Sequence, residues 1–145
     1  MTIRNLIIVG ALAAMSLGAA DTEKPLYERL GGKPAVQAVT SDFVDRILAD
    51  KRVNTWFGHA ASSPENTAAY KAKLADFICV GTGGPCQYAG RDMVTAHKGR
   101  GVTSAAFDAV VEDLDATLDK FKVPAKEKGE VLTILGGLKP SIVQK

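Results

Sequence analysis

Met93-Val94-Thr95-Ala96-His97-Lys98-Gly99-Arg100-Gly101 is the stretch on which the reading of this chain turns. It closes a region, Val80 to Gly101, in which a pattern that is helical nearly everywhere else breaks down. Gly81, Gly83, Gly84, Pro85, Gly90, Gly99 and Gly101 interrupt it, and only a short segment from Met93 to Lys98 can form a turn or two of helix. A loop this long inside a compact domain is usually functional. It holds His97, one of two histidines in 145 residues. Met93 and His97 stand four apart and share a helix face.

Outward from this loop the chain reads as helices. Leu26, Tyr27 and Leu30 make a short first helix ended by Gly31-Gly32. Pro34 sits where a first-turn proline belongs, and Val36, Val39, Phe43 and Ile47 follow at helical spacing to Asp50. Ser62 or Ser63 caps the next helix, with Pro64 and Glu65 in its first turn and Tyr70, Leu74, Phe77 and Ile78 on one face. Ser104 starts a fourth, striped by Phe107, Val110, Val111, Leu114, Leu118 and Phe121. Pro124 opens the last, with Val131, Leu135, Leu138 and Ile142 inward. Its interior holds Gly136-Gly137, which close approach of another helix would explain. The chain thus offers Phe57, Leu74, Phe77 and Phe107 opposite His97. A loop histidine is ordinarily a surface residue. One imidazole facing an apolar, aromatic-lined cavity is instead the arrangement that holds haem iron from its proximal side.

Other chemistries lack their residues. Gly81-Thr82-Gly83-Gly84 begins like a dinucleotide-binding turn, but Cys86 stands where the third glycine belongs, and no βαβ unit surrounds it. There is no phosphate-cradling loop and no Cys-x-x-Cys-His for covalent haem attachment. Cys79 and Cys86 lack the close ligand pairs of a zinc site. They are free thiols or a disulfide, and oxidising surroundings after export would favour the disulfide.

The first twenty residues read as an address. Arg4 is the only charge before Asp21, Leu6 to Leu17 is apolar, and Gly18-Ala19-Ala20 precedes the first acid. This describes a signal peptide (residues 1–20) cleaved after Ala20, leaving one domain, 21–145, in a periplasmic or extracellular location. The 15 uncharged residues from Leu6 to Ala20 fall short of the ~20 needed to span a bilayer. The mature form is therefore expected not to be membrane-spanning. The whole chain carries 18 Lys+Arg against 16 Asp+Glu. That near-neutral balance makes nucleic acid a poor partner.

An ordered set of short motifs resembles the group 1 truncated haemoglobins. It runs from Leu26-Tyr27-Glu28-Arg29-Leu30-Gly31-Gly32 through Asp42-Phe43, Trp56-Phe57, Gly83-Gly84-Pro85, Tyr88 and Gly90. Met93, His97-Lys98-Gly99, Gly101-Val102-Thr103 and Phe107 complete it. The resemblance covers about residues 25–143. It implies an all-α, two-over-two helical sandwich enclosing haem b, with a long glycine-rich loop before the proximal histidine. His97 would be the iron ligand and Phe57 would pack on the porphyrin. Met93, Val102, Phe107 and Val110 would line the proximal and inner walls, with Tyr70, Leu74 and Phe77 on the distal side. Tyr88 and Lys73 match positions near the haem propionates. The implied function is binding of O2, NO or CO, with oxidation of NO to nitrate as a further reaction needing an electron donor. The alternative is an exported redox or peroxide-handling haem protein working from the ferric state.

Three departures from the family pattern carry expectations of their own. Val44 stands where a distal tyrosine is frequent, and Tyr70 is expected to supply the missing donor from the other wall. The corner after Phe57 is longer, and its His59 is expected to face solvent. Lys73 has a second role open to it, as a ligand of ferric iron.

Overall fold

A reversal at Gly31 starts the fold. The computed structural model describes residues 23–144; the expected leader lies outside the described residues. Helix α1 (Leu26–Arg29) meets α2 (Gly32–Ala49) at Gly31, whose φ of 109° is in the left-handed region. A Cβ there would stand 2.9 Å from that of Ala35, so any other residue meets both strain and a clash. Helix α2 begins at Gly32, two residues before Pro34.

A 3-10 turn, Asn54–Phe57, leads to α3 (Pro64–Gly81). Ser63 is the cap, its hydroxyl accepting from the Asn66 amide at 3.1 Å, with Pro64 in the first turn. The glycine-rich loop follows. It ends at Asp92, whose Oδ1 accepts from Thr95 N at 2.9 Å and caps α4 (Met93–His97). Thr103 caps α5 (Ser104–Lys120) in the same way through Ala106. Each such cap is worth about 1 kcal/mol.

The layers follow from the buried faces. Helix α2 packs on α3, α5 packs on α6 (Ala125–Gly136), and the two pairs cross where α2 meets α5. This is the two-over-two sandwich, and the described residues contain no strand. Phe43 and Ile47 of α2 meet Phe107, Leu114 and Leu118 of α5 and Val131 of α6 in one core. Asp42 pins the crossing, accepting from Thr117 Oγ1 (3.0 Å), Arg46 Nε (2.8 Å) and Lys120. Burial opposes its charge, but these donors outweigh that and hold the carboxyl at about 2. No helix among the described residues is long and apolar enough to cross a membrane.

Two sequence expectations need correction. Phe121 does not continue the buried stripe of α5: it is the residue after the last turn and is 40% exposed. The final helix is two helices, α6 and α7 (Lys139–Ile142), with Gly137 ending the first. Pro140 is the reason, since it has no N–H to give the Gly136 carbonyl and its ring would collide with that group in a continuous helix. The paired glycines therefore mark a helix end. A Cβ on Gly136 would meet nothing within 4 Å, so no neighbouring helix requires its absence.

Candidate cofactor pocket

His97 closes the five-residue α4, whose direction Asp92 sets at the other end. Its Nδ1 lies 2.8 Å from the Met93 carbonyl oxygen, one helical turn earlier. A carbonyl only accepts, so Nδ1 carries the proton and donates. In the neutral ring this fixes the tautomer, with the lone pair on Nε2 at the opposite edge. A backbone carbonyl behind the imidazole is the usual way in which a metal-ligating histidine is oriented and made more basic.

The ring faces a cavity of about 510 Å³. All eleven residues singled out in the sequence line this one cavity: Phe57, Tyr70, Lys73, Leu74, Phe77, Tyr88, Met93, His97, Val102, Phe107 and Val110. The 3-10 turn, α3, α4 and α5 bring them together with Tyr88 of the glycine loop and Val102 just before α5. Its size lies within the range of small-molecule and cofactor sites. Its inner wall is apolar, extended by Phe43 and Ile47 of α2, Leu135 of α6, Leu138 between the last two helices and Ile142 of α7.

Polar groups are few and placed apart. Tyr70 stands edge-on to Phe57, centroids 5.9 Å apart. Burial pushes its hydroxyl up to about 12, opposed by nearby Arg100, so it keeps its proton at neutral pH. None of the hydrogen bonds among the described residues uses that hydroxyl, which is left to serve whatever enters. Val44 is fully buried in α2 and is not part of the cavity wall. Lys73, Arg91 and Arg100 supply the charge, and no carboxylate among the described residues lines the cavity. Lys73 is exposed and makes no ion pair among the described residues.

Tyr88 is held more tightly than its motif suggested. Its ring packs edge-on against Phe77 at 5.1 Å and its hydroxyl donates to the Arg91 carbonyl at 2.8 Å. That proton is already used, so pairing with an anion falls to the cations. A Cβ at Gly90 would stand 2.1 Å from the Tyr88 oxygen, which explains the glycine there. Upstream, Cys79 and Cys86 form a disulfide, Cα atoms 5.9 Å apart, tying the loop to the end of α3. Both thiols are thus unavailable to a metal.

Sequence reasoning missed Arg91 and Arg100. Both are exposed and read as ordinary surface charge, although Arg91 directly follows the Tyr88–Gly90 motif. His59 is exposed, as expected, yet it also reaches the cavity rim.

The imidazole of His97, an apolar slot and a cationic rim fit a flat, metal-centred ring bearing carboxylates. The sequence pattern of the Bacterial-like globin family matches residues 25–144. The chain belongs to that family, among the group 1 truncated haemoglobins. It is 34% identical over 110 residues to the group 1 truncated hemoglobin of Tetrahymena thermophila, covering 76% of this chain and 87% of that one. The Fe(III) crystal structure of the Tetrahymena pyriformis truncated hemoglobin superposes with a TM-score of 0.75 at 30% identity, covering 84% of this chain and all of that one. The 2/2 hemoglobin of Synechococcus sp. PCC 7002, in the cyanomet state with covalently attached heme, gives 0.69 at 36%, covering 78% and 91%.

Proposed function

We propose that this chain binds haem b through His97 and uses it to hold a diatomic ligand, O2, NO or CO. The observation that carries the reading is the His97 ring, whose Nδ1 is fixed by the Met93 carbonyl and whose other nitrogen is left to the cavity. Held there by His97, haem would supply an iron able to bind a small diatomic ligand. The chain's own residues do the rest. His97 orients and donates. Phe57, Phe77, Phe107 and Leu74 exclude water, and Lys73, Arg91 and Arg100 can neutralise the two propionates at the rim. Tyr70 keeps its phenolic proton and can donate it to a polarised ligand. Oxidation of NO by O2 to nitrate is a further reaction within reach, requiring one electron per turnover from a separate donor.

Export of residues 21–145 belongs to the same proposal. The leader-like start of the sequence supports it, as does a disulfide, which persists in oxidising compartments.

The test is the absorption spectrum of the purified protein, oxidised, reduced and reduced with CO. A haem spectrum that shifts with CO, and that is lost in His97→Gly until imidazole is added, is the expected result. A colourless protein that takes up no added haem overturns the proposal.

A further inference from the structure

The segment that follows His97, from Lys98 to Val102, leaves α4 as an irregular strap before α5 begins. It contains two left-handed glycines, Gly99 (φ 76°) and Gly101 (φ 66°), and a Cβ on either would meet nothing within 4 Å. Neither glycine is demanded by crowding, so the strap's rest position is set by its hydrogen bonds. On one side it is tied to the corner before α3. Trp56 Nε1 donates to the Arg100 carbonyl at 3.0 Å, and the Arg100 guanidinium donates back to the Trp56 carbonyl. On the other side one residue, Gln144, holds it at three points. Its Nε2 donates to the His97 carbonyl at 2.6 Å, its Oε1 accepts from Gly101 N at 3.2 Å, and its own amide donates to the Val102 carbonyl at 2.9 Å.

The His97 carbonyl therefore accepts twice, from Gln144 and from Arg100 N at 3.1 Å within the strap. His97 is the last residue of a helix only five residues long, with too few internal bonds to hold its own end still. Gln144 takes no part in the cavity wall. We propose that Gln144 is a positioning residue for His97: by clamping the His97 carbonyl and the Gly101 amide together, it fixes the tilt of the imidazole and so the strength of its bond to iron. The proposal rests on His97 being the iron ligand. What it adds is that a residue 47 positions away, touching neither haem nor gas, sets that ligand's geometry.

The experiment compares full-length wild type, Gln144→Ala and Gln144→Glu. It reads the iron–histidine stretching band of the reduced, ligand-free holoprotein by resonance Raman spectroscopy. It also reads hydrogen exchange at the Gly101 amide with and without haem. The alanine variant should bind a full complement of haem, because it alters no cavity residue. Its iron–histidine band should move to lower frequency, and Gly101 should exchange about fivefold faster, as for loss of one net hydrogen bond. The glutamate variant keeps an acceptor for Gly101 but sets a carboxylate against the His97 carbonyl. It should therefore shift the band while Gly101 exchange stays slow. An unchanged band and unchanged exchange in the alanine variant overturn the proposal. A reduced, five-coordinate haem in wild type with no iron–histidine band would instead refute the reading of His97, and Gly101 exchange in the haem-free protein would still decide whether the clamp exists.

Discussion

Asp113→Asn should stabilise the protein above pH 6 and leave it unchanged below pH 3.8. Asp113 lies on α5 facing Asp50, the residue that ends α2, and its Oδ2 is buried without a partner. Burial, and then the neighbouring Asp50 carboxylate, push it up to about 6. Asp50 itself is held at about 2, chiefly by the side chain and amide of Arg52, and so stays ionised across the window considered. The two acids therefore share one proton at mildly acidic pH, with Asp113 donating. A carboxyl whose folded pKa is raised contributes stability that is complete below its ordinary 3.8 and is lost as pH rises through about 6. At 1.36 kcal/mol per pH unit, a shift of that size sets a ceiling of about 3 kcal/mol. Partial exposure to solvent reduces this to about 1 kcal/mol. An asparagine amide donates to Asp50 at every pH, so the variant should escape the loss. Urea unfolding at pH 3.5, 4.5, 5.5 and 7.5 should show coincident midpoints at the lowest pH. At the highest, the variant should be ahead by about 0.5 M. A variant that is less stable than wild type at pH 7.5, or a gap that does not change with pH, would refute the reasoning.

Two other perturbations address the pocket and its loop. Replacing Cys79 and Cys86 together with serine opens a closed loop of eight residues. It should lower stability by about 2.5 kcal/mol in the chain-entropy model, read as a drop in unfolding midpoint that wild type reproduces only with a dithiol reductant present. Tyr70→Phe removes the one phenolic donor in the cavity not already hydrogen-bonded to the protein. It should speed O2 dissociation about tenfold, and an unchanged rate in stopped-flow displacement by CO would rule out Tyr70 as the donor.

Much of this architecture is local chemistry and was legible along the chain. Ser63 was one of two caps read for α3, and Asp92 and Thr103 cap α4 and α5 by the same chemistry, a short side-chain oxygen just before a helix reaching the amide three residues on. The apolar stripes point inward because their spacing leaves one face. The cavity wall was legible for the same reason, with each of its aromatic residues except Tyr88 lying on such a stripe or at a corner next to one. The break at Gly136-Gly137 was also local, and Pro140 signalled it; the error lay in reading the apolar period past a residue that cannot continue a helix.

What only the tertiary structure decided are the pairings between residues distant in sequence whose side chains look like ordinary surface polarity. Asp113 reads as a solvated acid between Glu112 and Leu114 until folding sets it against Asp50. Arg91 and Arg100 read as surface cations until the loop and strap turn them toward the cavity. Gln144 carries no pattern at all, and its bonds to residues 97, 101 and 102 exist only because α7 packs beside α4. Periodicity and capping depend on neighbours a few residues apart and are therefore present in the sequence itself. Hydrogen bonds across the fold depend on where two helices come to rest, and the sum of the whole core decides that.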